Sequence, residues 1–239
     1  MKYQGIFFDL DGTLLPMDND TFVKNYLGLL AKTVAHLGYT PEGLIPAIWK
    51  GVAAMMKNDG SRTNAEAYWE AFCSVFGESA YEHLPYFDAF YRNEFHGVKA
   101  LTSPTPSARE AVQLAREKAG CVVLATNPIF PRVAVESRLA WAGLTMEDFD
   151  LVTTYEESRF CKPSPAYFTE ITGKLGLDPT KCLMIGNNAR EDAWAAQQAG
   201  LSAYLLTDCL IDEDDLLQKG LECPKGSFAE LVEYLKALQ

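Results

Sequence analysis

Two aspartates, Asp9 and Asp11, stand one residue apart after an apolar run in the stretch GIFFDLDGTLLP, residues 5–16. Because side chains alternate along an extended chain, both carboxylates point the same way if the strand continues through them. Carboxylates this close repel one another and need a cation or a proton between them. Gly12 then allows a tight departure of the backbone. The pattern indicates proton-transfer or cation chemistry, and a solvated strand end is the alternative interpretation.

Polar side chains recur in three later stretches: VVLATNP, RFCKPSPAYF and CLMIGNNARED. They supply Thr126 and Asn127, then Lys162, and finally Asn187 and Asp192. Each has an ordinary structural interpretation. Thr126 or Asn127 can cap the following helix, Lys162 can be a solvated side chain, and Asp192 can be an acid favoured by the dipole of a first helical turn.

Short apolar runs predict the strands of a buried parallel sheet, because several of them are apolar at consecutive positions. The predicted strands are 3–8, 121–125, 149–153, 182–185 and 202–206. Helical periodicity lies between them, at 106–119, 129–142, 164–175 and 189–199. This alternation predicts an α/β fold with a doubly wound parallel sheet. Open sheets of this kind bind ligands beyond the carboxyl ends of their strands, which is where Asp9 and Asp11 fall.

The segment 16–100 interrupts the alternation. It shows helical periodicity four times, at about 19–37, 41–57, 63–76 and 79–95, without a convincing strand. We therefore predict a core domain made of residues 1–15 and 101–239, with a small all-helical domain at 16–100 inserted into it. Prolines and glycines near both junctions suit a hinge. The tail SFAELVEYLKAL predicts an amphipathic helix on the sheet edge.

The stretch FFDLDGTLLP resembles the first motif, D-x-D-G-T, of the haloacid dehalogenase (HAD) superfamily of phosphohydrolases. The resemblance implies a Rossmann-like core with a helical cap over its site. It also implies that Asp9 is the nucleophile that forms an aspartyl-phosphate, with Asp11 as general acid and base. The other three stretches resemble the later motifs of this superfamily, in the same order.

From these motifs the resemblance implies a phosphate site at Thr126, Asn127 and Lys162. It implies a Mg²⁺ site at Asp9, Asp11, Asn187 and Asp192. Position 187 departs from the family pattern, which commonly has an aspartate there, and a neutral amide attracts Mg²⁺ less than a carboxylate does. The adjacent acid Glu191 can compensate together with Asp192, so whether Asn187 or Glu191 binds the metal stays open.

The function expected from the resemblance is a Mg²⁺-dependent phosphatase that hydrolyses a small phosphorylated metabolite. Two alternatives remain open. One is a phosphomutase of the β-phosphoglucomutase type. The other, motivated by Asn187, is a catalytically weakened phosphate-binding or regulatory protein. Dehalogenation is disfavoured because family members of that kind need neither a metal nor an acid at the position of Asp11.

Charge and composition restrict the partners. The 239 residues carry 21 basic and 32 acidic side chains, a formal net charge of −11, without a basic stretch, so we expect neither nucleic acid nor membrane as a partner. Six cysteines without a C-x-x-C pair indicate reduced thiols and a cytoplasmic location. An export signal and a membrane span are not indicated. Whether the protein is a monomer or a homodimer stays open.

Overall fold

A parallel β-sheet forms the centre of the protein in the computed structural model, which describes residues 3–238. Over these residues the sheet has six strands in the order β3-β2-β1-β4-β5-β6. The strands are β1 (Gly5–Phe8), β2 (Cys121–Leu124), β3 (Leu151–Val152), β4 (Cys182–Gly186), β5 (Ser202–Leu206) and β6 (Lys225–Gly226). The predicted α/β class with a doubly wound parallel sheet is confirmed.

Helices connect the strands and enclose the sheet. They are α1 (Asn19–Val34), α2 (Pro41–Met56), α3 (Asn64–Phe76), α4 (Leu84–Arg92), α5 (Pro106–Lys118), α6 (Arg132–Trp141), α7 (Pro165–Leu175), α8 (Ala195–Gln198) and α9 (Phe228–Ala237). A π-helical segment, Ala189–Trp194, precedes α8. Among the described residues no helix is both long and apolar enough to cross a membrane.

The central strand β1 shows why the sheet is covered on both faces. All four of its residues are buried. Ile6 and Phe8 belong to the larger hydrophobic cluster, which includes residues of α1 to α6 and of α9. Phe7 points to the opposite face and packs in a second cluster with α7 and α8. Side chains on both faces are therefore removed from water, which explains the continuous apolar run in the sequence.

Helices α1 to α4 form the segment between β1 and α5. Where the chain enters and leaves this segment, the two connections lie side by side: Met17 pairs with Thr102 as an antiparallel bridge, and the Ser103 N–H donates to the Pro16 carbonyl at 2.8 Å. The helical content predicted for 16–100 is thus observed. The division into two domains with these boundaries remains a prediction.

The helical segment contacts the rest of the protein through a buried amide. Asn64, at the start of α3, is fully buried. Its side-chain nitrogen lies 3.2 Å from the Pro128 carbonyl oxygen, and its backbone N–H donates to the Ser158 carbonyl at 2.8 Å. The N–H of Ala65 donates to Tyr155 in the same way. Since buried polar groups need hydrogen-bond partners, these bonds fix how α3 sits against the loops after β2 and β3.

Several predicted element bounds were wrong. The helix predicted over 79–95 is divided, because Pro85 lies in the first turn of α4, where proline begins a helix, and 3₁₀ turns lie on both sides. The strand predicted over 149–153 is reduced to the two residues of β3. The sequence did not predict β6, which is equally short. A strand of two residues is too short to show a detectable periodicity in the sequence.

Candidate active site

The site lies where the order of the strands reverses. The chain adds β2 and β3 on one side of β1 and then β4 to β6 on the other, and open α/β sheets bind ligands at this crevice. Asp9 directly follows β1, and its backbone N–H donates to the Ile185 carbonyl of β4 at 2.9 Å. On the other side, the Ala125 N–H donates to Phe8 at 2.7 Å. Asp9 is therefore held by both neighbouring strands.

Lys162 lies in the loop before α7 and is fully buried. Its Nζ lies 2.8 Å from Asp9 Oδ1 and 2.6 Å from Asp192 Oδ1. Burial alone would lower the pKa of Lys162, but the carboxylates of Asp192 and Asp9 outweigh it and hold the pKa above its ordinary 10.5. The lysine therefore stays charged and joins two acids that follow different strands. The other oxygen of Asp9, Oδ2, accepts no hydrogen bond from residues 3–238.

Thr126 and Asn127 follow β2. Thr126 is buried, and its carbonyl accepts a hydrogen bond from the Thr153 hydroxyl at 2.7 Å. The side chain of Asn127 is engaged at both ends: Oδ1 accepts from the Lys162 N–H at 3.2 Å, and Nδ2 donates to Glu191 Oε2 at 3.1 Å. Asn127 thus fixes both the backbone that carries the lysine and an acid of the opposite loop.

Asn187 follows β4 and is buried. Its Oδ1 accepts a hydrogen bond from the Thr13 hydroxyl at 2.9 Å, and its Nδ2 donates to the Cys209 carbonyl at 2.7 Å. Gly12 makes room for this side chain. It adopts φ +82°, and a Cβ there would lie 2.4 Å from Asn187 Nδ2. The amide therefore ties the turn after β1 to the loop after β5, a role that a carboxylate, having no N–H, cannot fill.

Two adjacent acids follow Asn187 and differ in their surroundings. Both oxygens of Asp192 are engaged, Oδ1 by Lys162 and Oδ2 by the Asn188 N–H at 2.9 Å. Glu191 is half-buried, and only its Oε2 is engaged, by Asn127. No residue within 3–238 donates a hydrogen bond to Glu191 Oε1. Of the two, Glu191 offers the freer carboxylate oxygen.

Asp11 has a partner that sequence reasoning missed. The guanidinium of Arg138, on α6, donates from Nη1 to Asp11 Oδ2 and stacks 4.2 Å from the centroid of the Phe130 ring. Arg138 is fully buried, whereas 22% of the Asp11 side chain is exposed. Within the described residues, Asp11 Oδ1 is buried without a hydrogen-bond partner. A signal existed in the sequence: an arginine in the apolar stripe of a helix needs a buried partner.

These side chains surround one cavity of about 210 Å³. Every residue that the sequence analysis proposed for the site, except Lys162, lines this cavity, and Lys162 bonds to two that do. The lining includes Asp9, Asp11, Thr126, Asn127, Asn187, Glu191 and Asp192, and α1 contributes Asn19, Phe22 and Val23. The structure thus brings all the proposed residues together. Their catalytic and metal-binding roles are predictions that this geometry permits.

The cavity holds more negative than positive charge. Burial raises the pKa of Asp9 from 3.8 to about 7, and the charges of Asp192 and Asp11 act in the same direction, against Lys162. Burial also raises the pKa of Glu191 from 4.5 to about 7, again with a contribution from Asp192. Two of the acids therefore retain protons at pH values where an exposed carboxyl would be ionised.

We expect the pair of Asp11 and Arg138 to contribute measurably to stability. Arg138→Met should lower the free energy of unfolding in urea by about 3 kcal/mol, because it leaves a carboxylate without its buried partner. In the Asp11→Asn background the same substitution should cost at least about 1 kcal/mol less. Arg132→Met is the control: it breaks an exposed pair with Glu136 on the same helix and should cost about 0.5 kcal/mol or less. Equal costs of Arg138→Met in both backgrounds would contradict the coupling.

The raised pKa values of Asp9 and Glu191 predict how stability depends on pH in metal-free protein. Between pH 4 and 7 the unfolded chain releases protons that the folded protein retains, so the stability present at low pH is lost as the pH rises through about 7. The melting temperature should be lower at pH 8 than at pH 5. In Asp9→Asn the fall should be smaller by about 3 °C or more. The same fall in both proteins would show that Asp9 does not titrate in this range.

Comparison with known proteins agrees with this geometry. The chain is 27% identical over 223 residues to glyceraldehyde 3-phosphate phosphatase of Methanothermobacter thermautotrophicus, covering 92% of this chain and 93% of that protein. It is 24% identical over 202 residues to fructose-1-phosphate phosphatase YqaB of Escherichia coli, covering 84% and 95%. The solved structure of a candidate β-phosphoglucomutase from Thermotoga maritima shares the fold, with TM-score 0.58, 22% identity and coverage of 99% and 100%.

The family model of the haloacid dehalogenase-like hydrolases matches residues 3–200. This range contains the first four strands, β1 to β4, and every residue of the candidate site named above except Cys209. The protein belongs to the haloacid dehalogenase-like hydrolase family.

Proposed function

We propose that the protein is a phosphatase that hydrolyses a small phosphorylated metabolite through a phosphorylated Asp9. The observation that carries this proposal is the buried contact of Lys162 with both Asp9 and Asp192 beside an acid-lined cavity. It leaves Asp9 Oδ2 free to attack and places a fixed positive charge next to the attacking group. Two phosphatases to which the chain is similar are named for the substrates glyceraldehyde 3-phosphate and fructose 1-phosphate.

Magnesium fits the donors that are present. Four acids, Asp9, Asp11, Glu191 and Asp192, line the cavity, against two cations, Lys162 and Arg138, that pair with them. Among residues 3–238 there is no group of three histidines, cysteines or acids that could hold a metal by itself. Mg²⁺ needs only one or two protein carboxylates and takes its other ligands from water and phosphate. Glu191 Oε1, which accepts no hydrogen bond from residues 3–238, is one carboxylate oxygen that such an ion would engage.

The residues that would hold this ion are Asp9, Asp11 and one or both of the acids after β4. We infer that Asp192 acts chiefly by fixing Lys162, since both of its oxygens are engaged, and that Glu191 offers the additional carboxylate. The Oδ1 of Asn187 is held by Thr13, and its remaining lone pair is the one available to a metal. When bound, Mg²⁺ would neutralise charge on the phosphoryl group and its neighbours.

The proposed reaction has two steps. Asp9 Oδ2 attacks phosphorus, the ester P–O bond breaks, and Asp11 gives a proton to the departing alkoxide. Water then attacks the phosphorus of the aspartyl-phosphate, Asp11 takes a proton from it, and the bond between Asp9 and phosphorus breaks to release inorganic phosphate. Because Arg138 holds Oδ2 of Asp11, Oδ1 is the oxygen that exchanges this proton.

The phosphoryl oxygens need partners during this transfer. Lys162 supplies a permanent charge, and Thr126, which lines the cavity, supplies a hydroxyl. We infer that Asn127 contributes mainly by holding the Lys162 backbone and Glu191, since both ends of its amide are engaged. The helices α1 to α4 act as the cap in this proposal: Asn19, Phe22 and Val23 close the cavity on the side away from the sheet and reduce its contact with water.

The first test is phosphate release from a panel of phosphorylated metabolites, with and without MgCl₂. We expect release that depends on Mg²⁺ and falls at least about 1,000-fold in Asp9→Asn, because the nucleophile is lost. Asp20→Asn, the same change at an exposed position of α1, is the control and should keep the wild-type rate. Release that persists in Asp9→Asn would contradict the proposal, and tight binding of phosphate without turnover would support a binding protein instead.

A second test uses two opposite changes of charge at the cavity. In a calorimetric titration with MgCl₂, Asn187→Asp should tighten binding because it adds a carboxylate, whereas Glu191→Gln should weaken it. Asn187→Asp should also lower the free energy of unfolding of metal-free protein by about 1–3 kcal/mol, since the Cys209 carbonyl loses its donor. Unchanged Mg²⁺ affinity in both variants would place these residues outside the metal's coordination shell.

A further inference from the structure

A second cavity of about 80 Å³ lies between the helical segment and the core, and its walls are apolar. Eight of its fifteen lining residues are aromatic, six are aliphatic or proline, and one, Asp88, is charged. Asp88 is exposed. Helices α1 to α4 supply most of the walls, and the loop after β2 and Tyr155 complete them. No sequence pattern predicts this cavity, because its walls come from six separate parts of the chain.

Four of the polar groups on these aromatic walls are engaged with one another in two pairs. The hydroxyl groups of Tyr26 and Tyr91 lie 2.7 Å apart, and the Trp69 indole N–H donates to the Tyr155 hydroxyl at 3.3 Å. Burial raises the pKa of Tyr26 and of Tyr155 to about 12, so both stay neutral in the physiological range. These walls therefore offer mainly ring faces and edges to a ligand, beside a few polar groups, those of Tyr68, Trp49 and the exposed Asp88.

This apolar cavity adjoins the cavity of the candidate active site. Val23, Ile129 and Phe130 line both. On one side of this shared wall lie Asp9, Asp11 and Thr126, where the proposed function places the phosphoryl group. On the other side lie Tyr26, Trp49 and their aromatic neighbours. If a substrate has its phosphate at Asp9, its organic part can lie in this second cavity and cover the apolar walls. If the organic part lies elsewhere, these walls stay in contact with water.

We propose, on the basis of the proposed function, that the substrate is a phosphate monoester of a small apolar alcohol, of about the size of one aromatic ring or a short alkyl chain. Burying such a group against the aromatic walls removes apolar surface of both partners from water. A polyhydroxylated group of the same size loses its hydrogen bonds to water in this cavity and recovers few of them. The volume of about 80 Å³ limits this group to a short alkyl chain, or to one ring that extends in part into the adjoining cavity.

The test compares three esters that all leave as primary alkoxides: benzyl phosphate, n-butyl phosphate and glycerol 1-phosphate. Their similar leaving groups make the comparison one of recognition. We expect kcat/KM for benzyl and n-butyl phosphate to exceed that for glycerol 1-phosphate at least about tenfold, a ratio that an apolar pocket can provide. Equal values, or a preference for glycerol 1-phosphate, would overturn the inference and leave the proposed phosphatase activity standing.

Trp49→Ala tests whether this cavity causes the preference. Trp49 lines the cavity and is 50% exposed, so the substitution opens the wall without removing a buried side chain. We expect the ratio of kcat/KM for benzyl phosphate to that for glycerol 1-phosphate to fall about fivefold or more. Tyr86→Ala is the matched control: Tyr86 is 47% exposed and lines neither cavity, so the ratio should not change. An unchanged ratio in Trp49→Ala would overturn the assignment.

A binding experiment keeps the inference testable if no ester is hydrolysed. In 2-phenylethylphosphonate and 3,4-dihydroxybutylphosphonate, a methylene group replaces the ester oxygen of benzyl phosphate and glycerol 1-phosphate. Calorimetric titration with each, in the presence of MgCl₂, measures recognition without turnover. Tighter binding of the phenyl compound by about tenfold would support the apolar subsite even in a protein that lacks phosphatase activity. Equal affinities, or tighter binding of the diol, would overturn it.

Discussion

The site depends on one buried ammonium group. Lys162 is removed from water completely, and an unpaired charge in that position would destabilise the fold by several kcal/mol. Two carboxylates compensate for it: Asp9, directly after β1, and Asp192, beyond β4. Asn127, after β2, holds the backbone of the same lysine. The loop before α7 is thereby fixed to three strands at once, and the carboxylate of Asp9 is fixed with it.

The two buried cations compensate only part of the negative charge around the cavity. Lys162 and Arg138 each neutralise charge within the cluster, yet the acids outnumber them. Burial, with a contribution from the charge of Asp192, raises the pKa values of Asp9 and Glu191. A cation that entered the site would offset this excess of negative charge. The buried Oδ1 of Asp11 likewise has no hydrogen-bond partner among the described residues, so part of the negative charge is not compensated.

The sequence predicted the parts of this architecture that follow from regular periodicity. In a parallel sheet the carboxyl ends of all strands meet at one edge, so placing Asp9, Thr126 and Asp192 after strands was enough to bring them together. The position of Arg138 in an apolar helical stripe indicates a buried partner, but no local pattern identifies Asp11, which lies 127 residues away along the chain. The two-residue strands β3 and β6 are too short to show a periodicity from which they could be predicted. Asn187 was read only as a weak metal ligand, since its bond to Cys209 depends on how two loops pack.

Phe130 shows how the polar and apolar parts of the molecule are coupled. One face of its ring carries the guanidinium of Arg138, which pairs with Asp11. The ring also packs against Tyr26, at 5.5 Å between centroids, and lines both cavities. A single side chain from the loop after β2 thus supports the group that orients the acid and forms the boundary with the aromatic walls. Any movement of α1 that shifts Tyr26 must act on Phe130, and through it on the surroundings of Asp11.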